Sequence, residues 1–226
     1  MTYEKIIVNI CGITVWEPMA TLTDLFVSVA CFYFFCLLHK KKLPGKMYLL
    51  FKWHFFTMGV ATLFGGLLGH AFLYAVHISW KLPGWIISMA SVSLLERACI
   101  AHTVQQVSKK TRYAFKLANN IELIVFMSLT LYTLNFHFVE FHSGFGILAV
   151  IFPLQLFMYL KTKDPGSKII FAVVFLSLVS AIIFIKQITL HPWFNHIALS
   201  HTLMVFMVVL LYKSAINLRY NPETKQ

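Results

Sequence analysis

Four residues carry most of the chemistry this sequence offers: Asp24, His70, His196 and His201. The two late histidines open an apolar stretch, in the string Trp193-Phe194-Asn195-His196-Ile197-Ala198-Leu199-Ser200-His201. Polar, titratable groups inside greasy segments are costly and are functional candidates by default. His70 closes the run Gly65-Gly66-Leu67-Leu68-Gly69-His70, and Asp24 follows Glu17-Pro18-Met19-Ala20-Thr21-Leu22-Thr23. Three imidazoles with an open fourth position suit a zinc ion that acidifies water. Asp24 would orient a ligand histidine from behind or serve as general base. Gly65, Gly66 and Gly69 would let a neighbouring helix approach beside His70. A plainer reading stands next to this one. Histidines near helix ends also bond to water or headgroups, as is expected of His77, His137, His142 and His191, and Asp24 would then only cap a helix. The spacing sets a condition as well. Residues five apart stand about 140° apart on an ideal helix, so His196 and His201 converge only if the first turn is irregular.

The elements that must position these groups are membrane spans. The chain has 226 residues, 59% hydrophobic and 12% charged, against about 25% charged in a soluble domain. Its apolar runs approach or exceed the ~18 residues of a transmembrane helix. They predict a single all-α integral membrane domain over residues 1–226, a bundle of seven transmembrane helices. The spans fall at about 19–38, 48–77, 85–104, 115–134, 143–160, 169–188 and 193–211. The run Ile6 to Trp16 reads as an extramembrane or interfacial segment, not a cleaved signal peptide. The four cysteines, Cys11, Cys31, Cys36 and Cys99, have neither metal spacing nor a disulfide framework.

Charge orients the bundle. The net charge of +11 would suit nucleic acid, but the basic residues sit in short loops between spans, as the positive-inside rule requires. The loops after spans 1, 3 and 5 and the tail after span 7 hold nearly all the Lys and Arg. This pattern predicts the N-terminus outside and the C-terminus in the cytoplasm. Trp16, Trp80, Trp85 and Trp193 then fall on the outer boundary, where an aromatic belt belongs. On that layout the four candidate residues share one layer near the outer surface.

A second polar set comprises His54, Glu96, Arg97, His102, Asn119, Asn120 and Glu122. Charges at such depth should pair and face the bundle interior. Glu96 or Glu122 with Arg97 is the expected pair, and an ion pair fixing helix register is the reading ahead of a proton or ion relay.

Seven spans, one histidine late in span 2 and two early in span 7 resemble the alkaline ceramidase, adiponectin-receptor and Per1 superfamily of membrane hydrolases, called CREST. The resemblance implies a zinc ion held by His70, His196 and His201 and hydrolysis of a lipid amide or related bond by zinc-bound water. The sequence departs from that pattern. Gly66 stands where the superfamily has serine in Ser-x-x-x-His, and His196-x-x-x-Ser200-His201 replaces His-x-x-x-His. The strings Glu17-Pro18…Thr23-Asp24 and Trp193-Phe194-Asn195-His196 look more like an uncharacterised bacterial seven-span family.

The leading expectation is therefore a zinc-dependent intramembrane hydrolase acting on a lipid amide or ester, in a bacterial inner membrane, with membrane lipid as its partner and no nucleic acid. Its rivals are a non-enzymatic membrane protein binding a small ligand or lipid, and a transporter working through Glu96, Arg97 and Glu122.

Overall fold

The computed structural model describes residues 5–220. It opens with a hairpin, β1 (Ile7–Ile10) and β2 (Ile13–Trp16), paired antiparallel with Ile7 opposite Trp16. Cys11 and Gly12 form its two-residue turn, both at positive φ (51° and 83°), the geometry that matches strand twist. This is the segment expected outside the membrane. Its Ile7, Ile10 and Ile13 are exposed.

Helices make up the rest. α1 is Pro18–Lys41 and α2 is Lys46–Phe64. α2 continues into a π-helical stretch, Gly65–Ala71, and short 3-10 turns lead to α3, Leu82–His102. α4 is Lys109–Thr133. α5 (His137–Phe145) runs through a second π-helical stretch, Gly146–Ile151, into α6 (Phe152–Thr162). α7 is Pro165–Ile185 and α8 is His196–Asn217.

Among the described residues, six helical stretches are long and apolar enough to cross a membrane: Pro18–Lys41, Ile78–Gln105, Lys109–Thr133, His137–Thr162, Pro165–Ile185 and His196–Asn217. The architecture is all-α apart from the hairpin and is compatible with a multi-pass membrane protein. α2 falls outside that set, although it lies against α1 and α3 and supplies Met47, Phe51 and Phe55 to the fully buried core.

Two boundaries differ from expectation for local reasons. The last helix begins at His196, not Trp193, because the Asn195 side chain accepts hydrogen bonds from the Ile197 and Ala198 amides, both at 3.0 Å, and so caps it. The second helix stops near Ala71, where the π-helical winding gives way to turns. The π-helical stretch after α5 ends two residues before Pro153, whose ring would clash with a carbonyl one turn back in a regular helix. A wider turn is a known way to absorb such a residue.

Polar ties lock the helices together. Ser28 Oγ donates to Gly59 O (2.8 Å), joining α1 to α2. His54 Nδ1 lies 2.9 Å from both the carbonyl and the hydroxyl of Ser91, joining α2 to α3. Ser214 Oγ donates to Gly166 O (2.9 Å), joining α8 to α7. A Cβ on Gly166 would lie 2.6 Å from the Leu218 amide nitrogen, so this close approach requires glycine.

Candidate metal centre

Three helices bring Asp24, His70 and His201 together. Asp24 lies in α1 and is buried, His70 lies in the first π-helical stretch, and His201 lies in α8. Asp24 Oδ1 is 3.3 Å from His201 Nδ1, and Asp24 Oδ2 is 3.8 Å from His70 Nε2. The two imidazole rings sit with centroids 5.8 Å apart. One ligand atom from each of the three residues falls within 4.8 Å of the other two.

Local structure explains the convergence. A Cβ on Gly65 would lie 3.0 Å from Asp24 Oδ2, and one on Gly66 would lie 3.1 Å from Asp24 Cβ and 3.2 Å from the Thr21 carbonyl. The glycine pair thus lets α1 lie close against the π-helical stretch, as expected. Gly69 plays no such part, because a Cβ there meets nothing within 4 Å. The π-helical winding shifts the register of His70, and such stretches recur at functional sites.

A fourth residue completes the arrangement. Glu17 Oε2 lies 3.0 Å from His70 Nδ1. A carboxylate accepts, so Nδ1 carries the proton and Nε2 is left facing Asp24. A carboxylate behind a histidine is the usual device for fixing the tautomer of a metal ligand. Glu17 is itself buried and takes a left-handed backbone conformation (φ 46°, ψ 55°) between the hairpin and α1. Non-glycine residues rarely adopt that conformation.

His196 is not one of the three residues whose ligand atoms converge, although it lies within electrostatic reach of Glu17. It is the first residue of a regular helix, so the five-residue spacing turns it away from His201. Its ring packs on Phe184 at 5.6 Å between centroids. Asp24, expected as base or orienting residue, stands instead where the third ligand would be.

The donor set fits a zinc-class ion. Bonds of about 2.0–2.1 Å in a tetrahedron place ligand atoms roughly 3.4 Å apart; here the two Asp24 oxygens lie 3.3 Å from His201 Nδ1 and 3.8 Å from His70 Nε2, one facing each imidazole. Buried His201 Nδ1 makes no hydrogen bond in the described structure despite its nearness to Asp24. Two imidazoles and one carboxylate are a known donor combination at catalytic zinc.

The other expected polar set is rearranged. His142, expected at the interface, is fully buried, with Nδ1 2.7 and 2.9 Å from the two Glu122 oxygens. Arg97 does not pair directly with Glu96. Asn119 stands between them, accepting from Arg97 Nε (2.9 Å) and donating to Glu96 Oε2 (2.8 Å). His102 faces Asp164 at 3.5 Å, at the opposite end of α3 from its Leu82 start.

A family profile matches residues 19–220, which include Asp24, His70, His201 and every helix but for Pro18, the first residue of α1. The chain belongs to DUF6962, a family of unknown function. The match takes in the candidate centre except Glu17 and assigns no chemistry to it. No curated protein matches the chain.

Proposed function

We propose that the chain is a seven-span protein of the bacterial inner membrane, N-terminus outside, whose Asp24–His70–His201 centre holds zinc and hydrolyses an amide or ester bond in a membrane lipid. The observation that carries this reading is the convergence of two imidazoles and a carboxylate from three separate helices, with Glu17 behind His70. Of the three histidines that carry the resemblance to the CREST hydrolases, His70 and His201 belong to this centre and His196 does not.

The seventh span in this reading is Lys46–Ala71. Lys46, Lys52, His54 and His70 lower its apolarity, yet it is packed between α1 and α3. Counting it puts the basic connections after α1, α3 and α6, and the end of α8, on one side. The centre then lies towards the other side, with the hairpin.

The chain's own groups have distinct tasks. His70 and His201 present imidazole nitrogens, and Glu17 holds the His70 proton on Nδ1. Asp24 faces both imidazoles, so it serves as third ligand and as the nearest carboxylate able to accept a proton from water. A zinc ion held there would lower the pKa of a bound water, so that hydroxide would be available as a nucleophile at neutral pH.

An apolar groove of about 390 Å³ runs between α1 and α8, lined by residues such as Phe26, Tyr33, Val205 and Phe206. It includes Thr23 and Thr202, each next in sequence to a residue of the centre. An acyl chain lying there would run along α1 and α8, the helices that carry Asp24 and His201, which favours a lipid over a water-soluble substrate.

The test is turnover of lipid amides and lipid esters by protein reconstituted in liposomes. The expected result is hydrolysis of one class, abolished by chelation and by His201→Ala and restored to the wild type by zinc. Zinc-loaded protein that cleaves neither class would refute the hydrolase reading and favour a ligand-binding protein.

A further inference from the structure

A second cluster lies apart from the first, among α3, α4 and α5. One ligand atom each from Glu96, Glu122 and His142 falls within a common 4.8 Å. Glu96 and His142 are fully buried. We propose that these three residues form a second metal site, which takes a divalent first-row ion.

An unpartnered oxygen points to a ligand here. Glu96 Oε2 accepts from Asn119 Nδ2, but buried Glu96 Oε1 has no hydrogen-bond partner among the described residues. A carboxylate oxygen taken out of water without a partner is strongly disfavoured. Arg97 donates Nε to Asn119 Oδ1 at 2.9 Å and makes no hydrogen bond to Glu96 Oε1.

The surroundings prepare each donor for an ion. His142 Nε2 lies 2.9 Å from the Met89 carbonyl, which can only accept. Nε2 therefore carries a proton, and Nδ1 is the nitrogen turned to the cluster. A backbone carbonyl behind one ring nitrogen is the usual support of a ligating histidine. Ser93 Oγ and Arg97 Nε both donate to Asn119 Oδ1, so the Asn119 amide is fixed with its NH2 towards Glu96. An ion entering the site would displace the proton between His142 Nδ1 and Glu122 and would gain Glu96 Oε1 as a third donor.

Glycine makes the space, as it does at the first centre. A Cβ on Gly146 would lie 2.5 Å from Glu96 Oε1 and 3.0 Å from Val92 Cγ1. Gly146 begins the second π-helical stretch, just as Gly65 begins the first and lies against Asp24. Both clusters thus combine a buried carboxylate, a glycine opening a π-helical stretch, and a histidine whose far nitrogen is held from behind. Mixed carboxylate and imidazole donors suit manganese, iron or zinc over calcium or magnesium.

The test is metal titration of the detergent-purified full chain with manganese and zinc, comparing wild type, His201→Ala, Glu96→Gln and the double variant. The expected result is that Glu96→Gln loses about one ion per chain, that His201→Ala does not cause this loss, and that the two losses add. Folded Glu96→Gln protein that binds as much as wild type would overturn the proposal. Failure of the first centre would not mimic this, because the comparison can be made entirely within the His201→Ala background. Should Glu96→Gln fail to fold, electron paramagnetic resonance of manganese in the His70→Ala, His201→Ala double variant, which leaves the first centre without its imidazoles, decides. A bound ion coupled to one imidazole nitrogen supports the site, and no bound ion overturns it.

Discussion

Glu17 shows what the residue scale adds to the sequence. It stands there only in the string that precedes Asp24, and nothing in its spacing links it to His70, 53 positions on. The link exists because the hairpin and the left-handed turn at Glu17 return the chain to the end of α2. With its carboxylate holding the His70 proton on Nδ1, Glu17→Gln should weaken metal binding about 10- to 100-fold. Competition with a chromophoric chelator would measure this, and an unchanged affinity would remove Glu17 from the centre. Asp24, His70 and His201 were legible as polar residues at one depth. The place of His196 was not, because it depended on how Asn195 caps the helix.

Asp164 illustrates the scale of the element. Its Oδ1 accepts from the Ser167 amide (2.9 Å) at the start of α7, and its Oδ2 accepts from the Arg219 amide (2.7 Å) beyond α8. Burial opposes ionisation of this carboxyl, but the His102 ring and the two amides outweigh burial and hold it below the ordinary carboxylate range. A carboxyl so held stabilises the fold fully above its unfolded pKa of about 3.9 and loses that contribution as pH falls through the lower, folded value. The difference in melting temperature between wild type and Asp164→Asn should therefore be full at pH 6 and close as the pH drops below about 4. A gap constant across that range would mean that the charge plays no part. The sequence places Asp164 in the basic connection between the spans at about 143–160 and 169–188, but the Arg219 contact joins residues 55 apart and no local pattern encodes it. The π-helical stretches are equally hidden. Glycine signals that something approaches closely, not that the helix widens there.

Apolar runs separated by basic turns made the helical architecture of the whole molecule readable, and six of the expected spans correspond to helices long and apolar enough to cross a membrane. The segment around α2 is harder to read from composition because its polar residues serve the interior: His54 bonds to Ser91 and His70 faces Asp24. Span parity distinguishes six from seven. In a Cys36→Ser background, exposed Cys11 in the hairpin should react with a membrane-impermeant maleimide from outside intact cells, and a cysteine at Lys213 only after lysis. Labelling of both from one side would mean an even number of spans.

The central claim is the metal centre, and metal content of the detergent-purified protein tests it most directly. Wild type should hold about one more ion per chain than either His70→Ala or His201→Ala, while His196→Ala should match wild type. Equal metal in wild type, His70→Ala and His201→Ala, after incubation of each with zinc, would contradict the account.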